Sequence, residues 1–233
     1  MQLQKTYPRP ERPSDPSPLA MAIYNFELKA KKYHDEANKQ NPDTEKLKKL
    51  VKDYDHLQAE KKRIESVSIA QIALKEYREL NSSAAQFELA EEQHHPTNTL
   101  ARYLFSVGEP KPTKEHEAHH IISGKGRYNQ QAILRARLNL HMAGIGINDP
   151  HNGIWLINFV KNKAHDWATK DAPPHRKIHR YNYESWIGGS LGGDMNGNKA
   201  LFTNKLRNVK VAIRTGTLPS KIFEKIDKQW KGI

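Results

Sequence analysis

A proline-rich step at Pro110-Lys111-Pro112-Thr113 separates two parts of the chain that differ in charge and in residue pattern. Residues 1–113 carry 18 Lys and Arg against 17 Asp and Glu, whereas residues 114–233 carry 20 against 9. Two prolines within three residues interrupt both helices and sheets, so no regular element is expected to run across this step. We therefore predict a boundary near residue 110, followed by a part with a net charge of +11.

The first part is predicted to be all-α. Residues 1–20 contain five prolines and predict an extended lead-in rather than a helix or strand. Residues 21–110 then form a helical domain, in which Asn41 and Pro42 serve as the N-cap and first position of a long helix reaching about Leu80. Apolar residues in that helix recur at steps of three and four, which is typical of one buried helical face.

The second part, residues 111–233, is predicted to mix short strands with helices, which makes the whole chain α+β. Two short strands are expected at 119–122 and 154–157, on either side of a helix at 129–142. The remaining expectations are a helix opened by Pro174 that carries His175, His179, Tyr183 and Trp186, a glycine-rich loop at 188–197, and helices at 198–213 and 219–230.

Composition excludes several classes of protein and site. The chain has no cysteine, so disulfides and thiolate metal sites are excluded, and a transition metal would need nitrogen and oxygen ligands. No apolar run approaches a membrane span, and the first residues lack the apolar core of a secretory signal peptide. The basic second part would attract polyanions, which favours nucleic acid as a partner.

Histidines in the second part are spaced as metal ligands. His175 and His179 lie one helical turn apart, so both imidazoles could reach one divalent ion. His119 and His120 are adjacent in a predicted strand and must point to opposite sides, so one could face the metal and the other the substrate as a base. A further pair, His94-His95, is assigned no role, since a solvated surface is the more common setting for such pairs.

Asn152 is the fourth element of this pattern. It lies with Gly153 in a predicted tight turn before the second strand. An asparagine side chain there can bond across its own turn and tie it to the first strand, which would hold the backbone beside His120 in place.

These motifs together resemble the AHH branch of the histidine-metal nucleases, the HNH or ββα-metal superfamily. The resemblance is carried by Ala118-His119-His120-Ile121-Ile122, by the stretch from Gly144 through Asn152 to Leu156, and by the segment from His175 to His179. It covers about residues 115–190. Ser123 and Gly124 stand where the family often has proline, which affects the exit of the first strand rather than the chemistry.

The resemblance implies a ββα-metal nuclease core with additional helices and a role for each residue. His119, His175 and His179 would bind one divalent metal ion, with Zn, Mg, Mn and Ni as the candidates. By similarity to colicin-type DNases with a double histidine, His120 would be the general base, and Asn152 would hold the loop behind it. From their proximity in sequence, Arg176, Lys177, Arg180 and Arg127 are predicted to contact nucleic acid phosphates.

The implied activity is metal-dependent endonucleolytic cleavage, of DNA rather than RNA and without sequence preference. The resemblance further implies an interbacterial toxin or effector, made in the cytoplasm without a general secretory signal, delivered by a specialised system and neutralised by an acidic immunity protein. The first part of the chain could contact the secretion machinery. Two alternatives remain: a phage or mobile-element HNH endonuclease, and a non-catalytic, zinc-stabilised module that binds nucleic acid.

Overall fold

A computed structural model describes residues 7–39, 43–194 and 198–233. These residues are mostly helical and contain one antiparallel two-stranded sheet, so the predicted α+β class is confirmed. The helices among them are α1 Pro18–Ala37, α2 Thr44–Ser83, α3 Gln86–Glu91, α4 Asn98–Ser106, α5 Gln130–Met142, α6 His175–Ile178, α7 Tyr181–Leu191 and α8 Lys199–Thr215. The strands are β1 His116–His120 and β2 Gly153–Ile157, and short 3-10 segments occupy Pro150–Asn152, Val160–His165 and Ser220–Phe223.

The described residues up to Ile69 form a first compact unit made of α1 and the beginning of α2. Helix α1 begins at Pro18, where the hydroxyl of Ser17 accepts a hydrogen bond from the backbone N–H of Ala20. Residues 7–17 of the predicted lead-in contain neither helix nor strand, but its residues 18–20 already belong to α1. Its residues 1–6 lie outside the described residues, as do Asn41 and Pro42. A search of the described helices finds none with the length and apolar character that a membrane span requires.

The second compact unit runs from Ala70 to Ile233. It includes the end of α2, α3 and α4 together with the whole basic part of the chain. Leu100 and Leu104 of α4 are fully buried against Ala118 of β1 and Trp155 of β2. The compact units therefore divide after residue 69, whereas the change in charge and composition falls near residue 110.

The sheet and three helices enclose the main core of the second unit. Strands β1 and β2 pair so that His119 lies opposite Ile154 and His120 lies opposite Gly153. The largest fully buried side chains of this core include Ile121, Ile122, Ile133, Leu140, Leu156, Ile178 and Phe202. Ile121 and Ile122, which directly follow β1, belong to this core together with Ile154 and Leu156 of β2, so the core anchors the end of β1 next to its histidines.

The prediction of a loop over 188–197 was partly wrong. Helix α7 continues through Gly188 and Gly189 to Leu191. Gly188 is required by packing, because a Cβ placed there would lie 2.5 Å from the Cβ of Ala132 on α5. Two helices that approach so closely need glycine at the contact, so this glycine reflects helix packing rather than a turn. Residues 195–197 of the predicted loop lie outside the described part of the chain.

Two other predicted helices were also wrong in extent. The helix expected to carry His175, His179, Tyr183 and Trp186 is interrupted, since α6 ends at Ile178 and the extended Arg180 precedes α7. Of the helix expected over 219–230, only the 3-10 turn Ser220–Phe223 forms.

The last segment of the chain stays non-helical because its backbone bonds elsewhere. The Asn182 amide donates to the carbonyls of Lys221 and Lys225 at 2.6 and 3.1 Å. The side-chain oxygen Oδ1 of Asn182 accepts a hydrogen bond from the backbone N–H of Asp227 at 3.0 Å. These contacts with α7 use backbone groups that a helix over 219–230 would need for itself.

Candidate metal centre and active site

Three histidines from separate elements converge in the second unit. His119 is in β1, His175 begins α6, and His179 follows the last residue of α6. One ring nitrogen of each lies within 4.8 Å of the others, and the Nε2 atoms of His175 and His179 are 2.8 Å apart. The ring centroids of His119 lie 4.9 and 5.2 Å from those of His175 and His179. The structure thus brings together the three residues that the sequence predicted as ligands.

The short helix α6 positions two of these histidines. Ile178 is fully buried and anchors the turn in the core. His175 and His179 remain one turn apart, although the chain leaves the helix at His179 with φ −70° and ψ 80°. The break ahead of α7 therefore leaves the relation between the two imidazoles intact.

Glu117 orients His175 and was not identified from the sequence. Its carboxylate accepts a hydrogen bond from Nδ1–H of His175, which leaves Nε2 of that ring unprotonated and free to bind a metal. The guanidinium of Arg176 lies 3.8 Å from the other carboxylate oxygen of Glu117. Glu117 precedes His119 by two residues in β1, so period-two alternation places both side chains on one face of the strand. That spacing was the available signal.

Tyr183 plays a comparable part for His119. Its hydroxyl donates to the carbonyl oxygen of Ile121 at 3.0 Å, and its oxygen lies 3.1 Å from Nε2 of His119. Because the hydroxyl proton is already used, the tyrosine oxygen accepts from Nε2–H of His119. The Nδ1 lone pair of His119 is then the one available to a metal.

The surroundings of the three imidazoles favour their neutral form, although His119 is buried, His175 half-buried and His179 exposed. Desolvation lowers the pKa of His119 well below its usual value, and the neighbouring His175 and His179 add to this effect. Desolvation also lowers the pKa of His175, although Glu117 acts in the opposite direction. The pKa of His179 is lowered first by desolvation and then by His175. Neutral imidazole is the form that binds metal ions, so the cluster is ready to do so at neutral pH.

His120 points away from this cluster, as the alternation along β1 requires. It is 5% exposed, and its Nε2 lies 3.1 Å from Oδ1 of Asn148. Desolvation lowers its pKa to about 4. The rings of His94 and His95, a pair given no role from the sequence, each lie 6.3 Å from the His120 ring. His120 thus has a polar pocket of its own, built partly by the chain ahead of β1.

Asn152 ties the turn before β2 to the end of β1. Its Oδ1 accepts from the backbone N–H of Ile122 at 2.8 Å, and its Nδ2 donates to the Ile122 carbonyl at 3.0 Å. The same amide nitrogen donates to the carbonyl of Ile147 at 2.9 Å. Asn152 is completely buried, and its three bonds fix the backbone at Ile122, two residues after His120, and at Ile147.

The four predicted nucleic-acid contacts are exposed, but their surroundings differ. Arg176 lies over the ring of Phe159, and Lys177 lies over the ring of Phe223. Arg180 donates to the Phe223 carbonyl at 2.9 Å, so part of its guanidinium is engaged by the protein. Arg127 is near enough to His179 for its charge to help lower the pKa of that residue.

Glu184 holds the loop that carries Arg127. Its carboxylate accepts from the backbone N–H groups of Arg127 and Tyr128 at 2.6 and 2.8 Å, and also from that of Asn129. A carboxylate bonded to three successive amides fixes the local backbone, so Arg127 projects from a rigid base.

A comparison with protein families decides the family of this stretch. The model of AHH, described as a nuclease family of the HNH/ENDO VII superfamily with conserved AHH, matches residues 100–213. Residues 100–213 belong to the AHH nuclease family. The match includes Ala118-His119-His120, Asn152 and the pair His175 and His179, and it confirms the resemblance seen in the sequence. No curated protein and no solved structure matches the chain.

The donor set fits the divalent metal ion that nucleases of this superfamily use. One nitrogen from each of the three imidazoles lies within 4.8 Å of the others. In His175 and His119 the second ring nitrogen is hydrogen-bonded, to Glu117 and Tyr183 respectively, which leaves the other nitrogen of each ring free for a metal. Of the predicted ions, Zn and Ni suit imidazole ligands best, whereas Mg and Mn prefer oxygen ligands, so the three histidines alone do not select one ion.

Proposed function

We propose that this AHH domain is a metal-dependent endonuclease in which His119, His175 and His179 bind one divalent ion and His120 is the general base. The observation that carries the proposal is the position of His120, which directly follows the ligand His119 in β1. The imidazole of His119 faces His175 and His179, whereas that of His120 lies on the opposite side of the strand, next to Asn148. A metal site and a base joined by a single peptide unit can act on the same phosphodiester from adjacent positions.

The reaction is hydrolysis of a phosphodiester. His120 accepts a proton from the attacking water as the new P–O bond forms and the P–O3′ bond breaks. The leaving O3′ takes a proton from solvent water, so the products are a 5′-phosphate and a 3′-hydroxyl. A divalent ion held by His119, His175 and His179 would supply positive charge near the cleaved phosphate and its leaving oxygen. His120 is neutral at pH 7 because burial lowers its pKa, so it is ready to accept the proton.

Arg127, Arg176, Lys177 and Arg180 hold the phosphates that flank the cleaved bond. All four are exposed, and their charges belong to the part of the chain with a net charge of +11. Arginine pairs well with phosphate because its planar guanidinium presents parallel donors. The substrate proposed is DNA cut without sequence preference, on the basis of the charge excess and the absence from the sequence of a motif for reading bases.

The biological role proposed is that of an interbacterial toxin delivered by a specialised secretion system. It rests on the resemblance of the three motifs to toxin-type AHH domains. A basic nuclease of this kind would be neutralised by an acidic immunity protein, since complementary charge speeds association and favours the correct partner. Co-expression of a candidate acidic partner with the chain, read as rescue of growth, tests this role.

Plasmid nicking tests the enzymatic proposal. Purified wild-type protein and His120→Ala are incubated with supercoiled DNA in EDTA and then with Mg, Mn, Zn or Ni. We expect metal-dependent cutting by the wild type only, while both proteins give the same thermal unfolding curve and bind the same amount of Zn. Cutting by His120→Ala at the wild-type rate would exclude His120 as the base. Binding of DNA without cutting in every metal would support the zinc-stabilised binding module, and RNA is the substrate to test next.

A further inference from the structure

The general base His120 has a single side-chain hydrogen-bond partner among the described residues, the amide of Asn148. The Nε2 atom of His120 and the Oδ1 atom of Asn148 are 3.1 Å apart, and the two residues are 5% and 3% exposed. In a site so poorly accessible to water, the direction of this bond decides which nitrogen of His120 carries the proton.

The orientation of the Asn148 amide is fixed by its other contacts. Its Nδ2 donates to Oε1 of Glu92 at 2.7 Å and to the carbonyl oxygen of Gln93 at 2.9 Å. If the amide were flipped, its carbonyl oxygen would face a carboxylate and a carbonyl, neither of which can donate. Oδ1 therefore faces His120 and can only accept from it.

We propose that Asn148 is a positioning residue that holds His120 as the Nε2–H tautomer, so that Nδ1 is the atom that accepts the proton of water. The inference rests on the proposed function, because it takes His120 to be the base. It adds the atom that acts and the residue that selects it. An imidazole held in the other tautomer would present an N–H to the water and could not act as a base.

A second set of contacts holds Asn148 itself. Tyr77 of α2 donates its hydroxyl proton to the Glu92 carboxylate, at 2.7 and 2.9 Å from its two oxygens. The hydroxyl oxygen of Tyr77 in turn accepts from the backbone N–H of Asn148 at 3.0 Å. Glu92 also accepts from the backbone N–H of Ile147 at 3.0 Å. Glu92 is thus bonded to donors from both sides of the pocket, and its position fixes that of Asn148.

Gly146 leaves the space that this network needs. A Cβ at Gly146 would lie 2.0 Å from the hydroxyl oxygen of Tyr77. Any larger residue there would displace the hydroxyl that bonds both Glu92 and Asn148. The glycine, two residues before Asn148, is therefore explained by the network rather than by a turn.

The network depends on residues that precede the family match. Tyr77, Glu92 and Gln93 lie before residue 100, whereas Asn148 and His120 lie within the matched 100–213. The helical segment in front of the AHH domain therefore completes the active site by orienting the base. The pocket of His120 would be incomplete in a domain cut at residue 100 or 110.

The test uses the full chain loaded with Zn and labelled with ¹⁵N-histidine. We expect His120 of the wild type to give a single Nε2–H tautomer. Asn148→Leu removes the acceptor at similar volume and should give a mixture of tautomers. Asn139→Leu is the matched control, because Asn139 donates two hydrogen bonds to the end of α7 and none to the His120 pocket.

Kinetics on plasmid DNA supply the second readout. Asn148→Leu should lower kcat about 100-fold, the usual cost of a misplaced catalytic group, with KM and Zn affinity unchanged. An Nδ1–H tautomer in the wild type, or an unchanged His120 signal in Asn148→Leu, would overturn the inference. A wild type that shows Nε2–H but cuts in no metal would instead refute the proposed function and leave the assignment of Asn148 intact.

Discussion

Replacing Glu117 by glutamine should weaken metal binding while leaving the three histidines in place. In the wild type the carboxylate accepts the proton of His175 Nδ1, which fixes the ring and raises the electron density on Nε2. Glutamine keeps the size of the side chain and an acceptor oxygen but removes the negative charge. Hydrogen bonds to an ionised partner are roughly twice as strong as neutral ones, so the orienting bond is weakened rather than lost.

The expected loss is about tenfold in affinity. Removing the hydrogen-bond partner of a ligating histidine generally costs about 10- to 100-fold in metal affinity. The Glu117 side chain is 35% exposed and also lies 3.8 Å from Arg176, so solvent and a second cation already weaken its effect on His175. Both features place the expected loss of Zn affinity at the lower end of this range, about tenfold, which corresponds to about 1.4 kcal/mol of binding free energy.

Zn titration by calorimetry, with a chelator competitor, measures this loss directly. A thermal assay checks it: at a Zn concentration of 100 times the wild-type Kd, stabilisation should fall from about 2.7 to about 1.4 kcal/mol. Glu224→Gln is the control, because it removes the same charge from an exposed residue whose side chain, among the described residues, is hydrogen-bonded to Ser220 and not to the histidine cluster. Equal Zn affinities for Glu117→Gln and wild type, within twofold, would show that Glu117 does not orient His175.

Three further predictions concern stability. Asn152→Ala leaves the backbone N–H of Ile122 and the carbonyls of Ile122 and Ile147 without the Asn152 side chain as partner. The free energy of unfolding, measured in urea, should fall by about 3 kcal/mol or more. A loss under about 1 kcal/mol would contradict this role of Asn152. Gly188→Ala should cost about 1–3 kcal/mol because its Cβ would meet Ala132, while Gly193→Ala, which meets nothing within 4 Å, is the control. Burial, followed by the charge of Arg137, lowers the pKa of His141 to about 4. The unfolded chain binds more protons from about pH 6.5 down to that value, so stability should fall as the pH drops through this window, and His141→Gln should reduce the slope by up to about 1.4 kcal/mol per pH unit.

The sequence was most informative where a function depends on spacing along the chain. His175 and His179 are one turn apart, and this holds whether the helix continues or stops after α6. Alternation along a strand separates His119 from His120, and it also places Glu117 beside His119. Such relations depend on backbone geometry alone, so the ligand positions could be predicted before the fold was known.

The sequence was less informative where a residue's role depends on what packs against it. Gly188 and Gly189 suggested a loop, but Gly188 allows the contact between α7 and α5, and Gly189 allows the backbone of Lys231 and Gly232 to approach α7. The segment after Pro219 has the composition of a helix, yet Asn182 takes the carbonyls that such a helix would use. In both cases a tertiary contact outweighed a local preference worth about 1 kcal/mol or less per residue.

The pocket of His120 shows most clearly why the division at residue 110 is incomplete as an account of the active site. Charge and motif content change at Pro110, and both describe the surface and the ligands of the second part. The partner of Asn148, however, is Glu92, 56 residues earlier in the chain. Glu92 belongs to no motif, and the contact that gives Asn148 its role is not visible in the stretch from Gly144 to Leu156. A polar pair separated by this distance can be recognised only from the fold, and here that pair determines how the base is held.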